Sequence, residues 1–309
     1  MIVTENIGTM IIMSNEQAFK AFIKDDNEDY KYVDYDPIHC IAGDTDSVYL
    51  DLSSLFDEGA DSKDVIEVAD HIGTTVNDKF SEYMKSVFNV SEERSKPIET
   101  ERENVSDKSV FFGKKRYAMH VIDSEGVTCD KPKIMGLEIK RSDTPKVIQD
   151  MLTRLVNMMM DNEPYEVVRG FLDTFKTDFY TLNALQIGRP MGVKKVHEYT
   201  EKYLNFNSWE DIPYHVKATM LFNMARDDKF GDQIVSGNKI KFVYILDPEM
   251  KAIALPETMN ENDEFVLDLV VDYDTIWNTV QKKIDSYLIP IGYDRQNRQQ
   301  DKVNGLFEF

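Results

Sequence analysis

Two carboxylates, Asp44 and Asp46, stand one residue apart inside the run IAGDTDSVY at positions 41–49. Alternate residues of a strand share a face, and at a turn two such side chains can converge on one cation. Paired carboxylates repel each other unless a cation, donors or water offset them. Mg2+ takes oxygen ligands, commonly one or two carboxylates together with substrate phosphates. An aspartate pair at a hairpin tip therefore suits phosphoryl or nucleotidyl transfer. The spacing alone leaves other readings open. Aspartate is common at turns for backbone reasons, and metal-dependent glycosyltransferases also use Asp-x-Asp on nucleotide-sugars. An EF-hand loop is excluded, because position 48 is valine and the required glycine and distal glutamate are absent.

Other chemistry-bearing residues add little. His39-Cys40 lacks the spaced partners of a zinc site and reads as buried sheet. His71, His120, His197 and His215 are scattered, with no nucleophile and base in sight. Neither an ATPase-type phosphate loop nor a dinucleotide fingerprint is present. The 15 methionines and 17 phenylalanines fall mostly at helical spacing and read as core.

The elements that must position the aspartates can be read from periodicity. His39–Ala42 and Val48–Leu52 flank the GDTD segment as a β-hairpin, with Gly43 allowing a tight bend. Gln17–Ile23 reads as a helix. Val65, Ile66, Ala69, Ile72, Val76, Phe80, Met84 and Val87 mark one face of a helix over about 64–88. Residues 91–108 read as a charged connector or edge strand. Sheet follows to about residue 141, with a GKKR turn between Val110–Phe112 and Tyr117–Ile122 and another turn at Asp123–Gly126. Thr144-Pro145 opens a helix, since proline fits the first helical position. A second helix covers about 165–182, and Ile187–Lys195 reads as a basic loop broken by Gly and Pro. Then come a helix at Val216–Met224, a hairpin from Lys241–Leu246 and Ala252–Leu255, and a last helix at about 275–288. The fold class is α+β, with a mixed sheet unit first and a largely helical unit after it.

The 309 residues suffice for about two domains, and 42% hydrophobic with 30% charged residues argues against wholesale disorder. The net charge of −20 excludes a uniformly basic nucleic-acid coat. Its distribution is uneven. Residues 1–78 carry 18 acidic and 4 basic side chains, whereas 108–146 carry 9 basic and 5 acidic. That reversal fits one face held near a polyanion. Two cysteines cannot build a disulfide framework, and no apolar run reaches membrane-spanning length. A soluble, intracellular protein with no membrane partner is expected.

The run at 41–49 closely resembles the palm motif of family B DNA polymerases, usually Tyr-Gly-Asp-Thr-Asp-Ser. The order of later segments resembles the replicative polymerases of T-even-type phages. Glu101-Arg102-Glu103 looks like the acidic palm segment after the motif. Gly113-Lys114-Lys115-Arg116-Tyr117 looks like the lysine–tyrosine motif that holds the primer end. Met135-Gly136-Leu137-Glu138, followed by Ser142-x-Thr144-Pro145, looks like the entry to the thumb. Pro213-Tyr214-His215-Val216-Lys217 and Asn223 look like a thumb segment near duplex DNA. Leu306-Phe307-Glu308-Phe309 resembles a shortened sliding-clamp-binding tail.

The resemblance implies a palm sheet with packed helices over 1–140, a largely helical thumb over 141–295, and a flexible tail at 296–309. It implies that Asp46 is the metal-ligating catalytic aspartate, that Asp44 supports the metal site, and that Glu103 is a secondary acidic group. The cofactor would be Mg2+, two ions in the assembled site, with Mn2+ as a substitute. Lys114, Lys115, Arg116 and Tyr117 would grip the primer side of the duplex. Lys140, Arg141, Lys194, Lys195 and Lys217 would meet phosphates. Leu306, Phe307 and Phe309 would bind a clamp. Position 42 departs from the pattern: alanine replaces the usual tyrosine, which shifts primer positioning towards Tyr117.

The resemblance covers only the back part of such an enzyme. The earlier palm aspartate and the fingers residues for the triphosphate do not precede Asp44. Asp51 in DLSSLF, beside the hairpin, is wrongly placed to substitute and reads as a strand end. The expected partners are therefore an N-terminal polymerase chain bearing the missing palm motif, fingers and exonuclease, with primer-template DNA, deoxynucleoside triphosphates and a sliding clamp. The initiating methionine and the run of the chain favour a naturally split subunit, working in the host cytoplasm. A catalytically inactive DNA- and clamp-binding accessory subunit is the alternative, and a nucleotide-sugar transferase a more distant one.

Overall fold

The computed structural model describes residues 4–5, 9–10, 20–24, 30–34, 40–44, 47–56, 61–95, 99–226 and 233–293. Two compact units emerge. The first comprises residues 1–136 with 159–162, and the second 137–158 with 163–309. The architecture is α+β, with small antiparallel sheets throughout.

The first unit begins with short strands β1 (Thr4–Glu5) and β2 (Thr9–Met10), then β3 (Lys20–Lys24) and β4 (Tyr30–Asp34). The helix expected over Gln17–Ile23 is instead, where described, strand β3 paired antiparallel with β4. The two strands are rich in aromatic and β-branched residue types (Phe22, Ile23, Tyr30, Tyr32 and Val33), which favour a pleated strand over a helix in so short a run. Strands β5 (Cys40–Asp44) and β6 (Ser47–Asp51) form the expected hairpin. Cys40 is exposed rather than buried, and His39 lies outside the described residues.

Helix α1 (Ser62–Phe88) follows, with Asp61 capping it by accepting from the Lys63 amide at 3.1 Å. Asn89, in the left-handed region, ends it. Val65, Ala69 and Ile72 pack on Val48, Leu50, Leu52 and Val105. Burying a side chain the size of Val65 or Ile72 contributes about 1.5–3 kcal/mol, which secures the first half of the helix. Val87 and Phe88 at the far end are exposed.

A turn of helix, α2 (Glu92–Ser95), leads into β7 (Asn104–Gly113), β8 (Arg116–Ser124) and β9 (Val127–Met135). The sheet order is β1-β7-β8-β9, so the end of the expected connector is an interior strand rather than an edge. Its Asn104, Val105, Ser106 and Ser109 are buried; β8 pairs along its length, and β1 adds a second partner at Lys108 and Ser109. Glu125 and Gly126 both have positive φ and form the tight β8–β9 turn.

The second unit contains α3 (Lys146–Met160, ending within the first unit's share), α4 (Tyr165–Phe179) and α5 (Ala184–Ile187). It continues through β10 (Arg189–Gly192), α6 (Val196–Phe206), α7 (Tyr214–Ala225), β11 (Lys239–Tyr244), β12 (Ala252–Pro256), α8 (Glu264–Leu267) and α9 (Tyr273–Leu288). The expected loop over Ile187–Lys195 is in part β10, the edge of a β10-β11-β12 sheet. Pro190 tolerates that place because an edge strand leaves one side unbonded. Phe179 and Trp277, with ring centroids 5.3 Å apart, anchor α4 to α9. No helix among the described residues is long and apolar enough to cross a membrane.

Candidate functional site

The β5–β6 hairpin is closed across two residues, with Asp44 in register with Ser47. Asp44 thus ends β5 at the mouth of the turn, while Asp46 lies outside the described residues. Strand periodicity then divides β6 between two cores. Val48 and Leu50 face α1, and Tyr49 faces the β7-β8-β9 sheet.

Tyr49 meets Tyr117 of β8 and Phe111 of β7, with ring centroids 5.3 and 5.4 Å away. Its hydroxyl donates to the Tyr117 hydroxyl at 2.9 Å in buried surroundings. The aspartate hairpin and the lysine–tyrosine hairpin, 68 residues apart, are thereby joined side chain to side chain. Ala42, in register with Tyr49, packs against this cluster as a methyl group.

Lys114 and Lys115 form the exposed β7–β8 turn, with Lys115 at φ 59°. Arg116 is half-buried and Tyr117 buried. Gly136 sits against this turn: at φ 65°, a Cβ there would fall 2.0 Å from the Lys115 carbonyl oxygen. Only glycine meets both requirements.

The acidic residues differ in what they are free to do. Asp51 is 8% exposed and accepts from the Ser53 amide at 2.9 Å, so it shapes the strand end. Glu103 pairs with Lys133 of β9 at 2.5 Å, and that hydrogen bond holds its carboxyl below the ordinary range. Among the described residues no group of three or more His, Cys, Asp or Glu could hold a metal. A hard cation held by one or two carboxylates and completed by substrate phosphates fits the donor chemistry of Asp44 and Asp46.

Arg102 had no signal in the sequence beyond its place between two glutamates. Its side chain is 7% exposed and pairs with Asp70 of α1 at 2.5 Å and with Asp123 at the end of β8. The triad fixes the backbone that carries Glu103.

In the second unit, Lys140 is exposed in a 3-10 turn at Glu138–Lys140. Arg141 grips Asp143 through Nε at 2.9 Å and a terminal nitrogen at 3.1 Å. Lys194 and Lys195 are exposed, and Lys195 pairs with Glu198 at 3.2 Å. The Lys217 ammonium lies 5.0 Å from the Trp209 ring centroid, a cation–π contact. Leu306, Phe307 and Phe309 lie outside the described residues.

The profile of the family described as DNA polymerase family B matches residues 2–290. Over 259 residues the chain is 24% identical to a DNA-directed DNA polymerase of Enterobacteria phage T4, covering 76% of this chain and 28% of that protein. Over 221 residues it is 26% identical to a DNA-directed DNA polymerase of Escherichia phage RB69, covering 66% of this chain and 24% of that one. The chain thus spans about a quarter of the length of these relatives. Aspartate hairpin, lysine–tyrosine hairpin and nearly end-to-end profile agree, and the chain belongs to family B of the DNA polymerases.

Proposed function

We propose that this chain is the palm-and-thumb part of a DNA-directed DNA polymerase that extends a primer by template-directed deoxynucleotidyl transfer. In that reaction the primer 3′ oxygen attacks the α-phosphorus of a deoxynucleoside triphosphate. A phosphodiester forms, the bond to pyrophosphate breaks, and the hydroxyl proton leaves to solvent. The observation that supports this reading best is the Tyr49–Tyr117 hydroxyl bond, which couples the aspartate hairpin to the hairpin bearing Lys114 and Lys115.

Asp46, aided by Asp44, would hold Mg2+, or Mn2+ in its place; two such ions in the assembled site would supply electrostatic stabilisation of the attacking and leaving oxygens. Glu103, neutralised by Lys133, is a structural acid in this account. Lys114, Lys115, Arg116 and Tyr117 place the primer end. Contacts there read the duplex with little base preference, as a polymerase that moves along any sequence requires. Lys140, Arg141, Lys194, Lys195 and Lys217 serve the duplex phosphates. The first unit takes the palm role to about residue 140, the second the thumb role to about 295, and 296–309 a clamp-binding one. Residues corresponding to the other three-quarters of the relatives supply the second palm aspartate and the fingers, whether on a separate chain or a continuous one, in the cytoplasm of an infected host.

Primer extension with Mg2+ by the chain together with that remainder tests the proposal. Extension that Asp46→Ala abolishes supports it; extension indifferent to Asp46 would move the chain to an accessory DNA- and clamp-binding role.

A further inference from the structure

Asp143 gathers two arginines from distant parts of the second unit. Arg141 grips both carboxylate oxygens, Nε donating to Oδ1 at 2.9 Å and a terminal nitrogen to Oδ2 at 3.1 Å, and Arg189 of β10 donates to that same Oδ2 at 2.5 Å. One carboxylate thus holds two guanidinium groups side by side. Both arginine side chains remain more than half exposed, at 59% and 55%. Behind them stands Lys283 of α9, half-buried, donating to the Thr144 hydroxyl at 3.1 Å. Burial and the neighbouring Arg189 and Arg141 depress the lysine's pKa, against the pull of Asp143 and Glu138. Asp143 in turn is held down to about 2, first by its bond to Arg141, so it stays ionised and keeps the fork assembled.

Charge and geometry point the same way. Arg141, Arg189, Lys283 and the exposed Lys140 outnumber Asp143 and Glu138 by two charges, in a chain whose net charge is −20. A guanidinium carries five N–H donors, and Arg141 spends two and Arg189 one on Asp143. The remaining donors lie on exposed groups. Fixed guanidinium forks suit phosphate oxygens, whereas a lone flexible lysine offers only a point charge.

We infer that Arg141 and Arg189, bundled by Asp143, form one binding site for a backbone phosphodiester of duplex DNA, with Lys283 adding charge from behind. This rests on the DNA-binding reading above and adds Arg189, Lys283 and the positioning residue Asp143 to it.

The test is fluorescence anisotropy of a labelled primer-template duplex with the full chain over a salt series. Arg189→Gln is expected to weaken binding and to reduce the slope of log affinity against log salt by about 1. The double change with Arg141→Gln is expected to reduce it by about 2. Arg189→Lys, which keeps the charge, is expected to retain most of the slope while losing affinity, and it serves if Arg189→Gln proves unstable. Arg169→Gln, a comparably exposed arginine on α4, is expected to change neither. Wild-type binding with an unchanged slope in both Arg189 variants, or an equal effect of Arg169→Gln, would overturn the inference alone. Competition by a deoxynucleoside triphosphate but not by unlabelled duplex would also overturn it, assigning the fork to a nucleotide. No duplex binding by the wild-type chain at low salt would overturn the DNA-binding reading itself.

Discussion

The Tyr49–Tyr117 contact sets what single residues contribute at the centre of the first unit. Tyr49→Phe keeps the rings and removes a buried hydroxyl bond, so stability should fall by about 1 kcal/mol. Thermal melts of Tyr49→Phe, Tyr117→Phe and the double variant form a cycle, and a double variant no worse than either single one is expected. Gly136 is a sharper case. Gly136→Ala meets both a positive φ and the Lys115 carbonyl oxygen, and should cost at least about 2 kcal/mol by urea unfolding. Little of this was legible residue by residue. The Asp-Thr-Asp and Lys-Lys-Arg-Tyr runs could be picked out because their types and spacing carry chemistry. Tyr49, three positions past Asp46, carries no local sign of its partner, since a long-range hydroxyl pair leaves no pattern in the sequence.

Elements are held by polar groups that cross between them. Arg102 links α1 to the end of β8, and its partner Asp123 is 4% exposed. Arg102→Met would leave a buried carboxylate unpaired, and a loss of about 3–5 kcal/mol is expected from denaturant titration. On the same sheet His120 of β8 lies between Asp107 of β7 and Asp130 of β9, 2.6 Å from each. Lys108, across from His120 in register, is itself paired with Asp161 at 2.7 Å. Burial lowers the imidazole pKa, but the bonds to Asp130 and Asp107 outweigh it and raise the pKa above its ordinary value. The stabilisation is full below the unfolded value of about 6.5 and is lost as pH rises through the raised folded value. Melting temperature should therefore fall as pH rises above the unfolded value of about 6.5 in the wild type, and His120→Gln should flatten that fall. Long helices were legible from periodicity, as α1 and α9 show. Strands β3 and β10 were not, because a five-residue run shares its apolar spacing with a helix turn, and Pro190 disguises an edge strand as a loop.

For the whole molecule, coverage of about a quarter of its relatives decides the functional expectation. The chain by itself should extend no primer, and extension should appear when the remainder of the polymerase is supplied; gel-resolved extension products measure it. The α+β class could be read from the order of patterns along the chain. The aromatic junction between the two hairpins could not, because it depends on how sheets stack. One further consequence follows from α1. Its first half is sealed by Val65, Ala69 and Ile72, whereas its last turn carries Val87 and Phe88 in water. Backbone amides along this single 27-residue helix should therefore exchange with deuterium on a gradient. Protection should be slowest to fade near Ala69 and quickest near Phe88, so the helix would unravel from its C-terminal end long before the unit that anchors it opens.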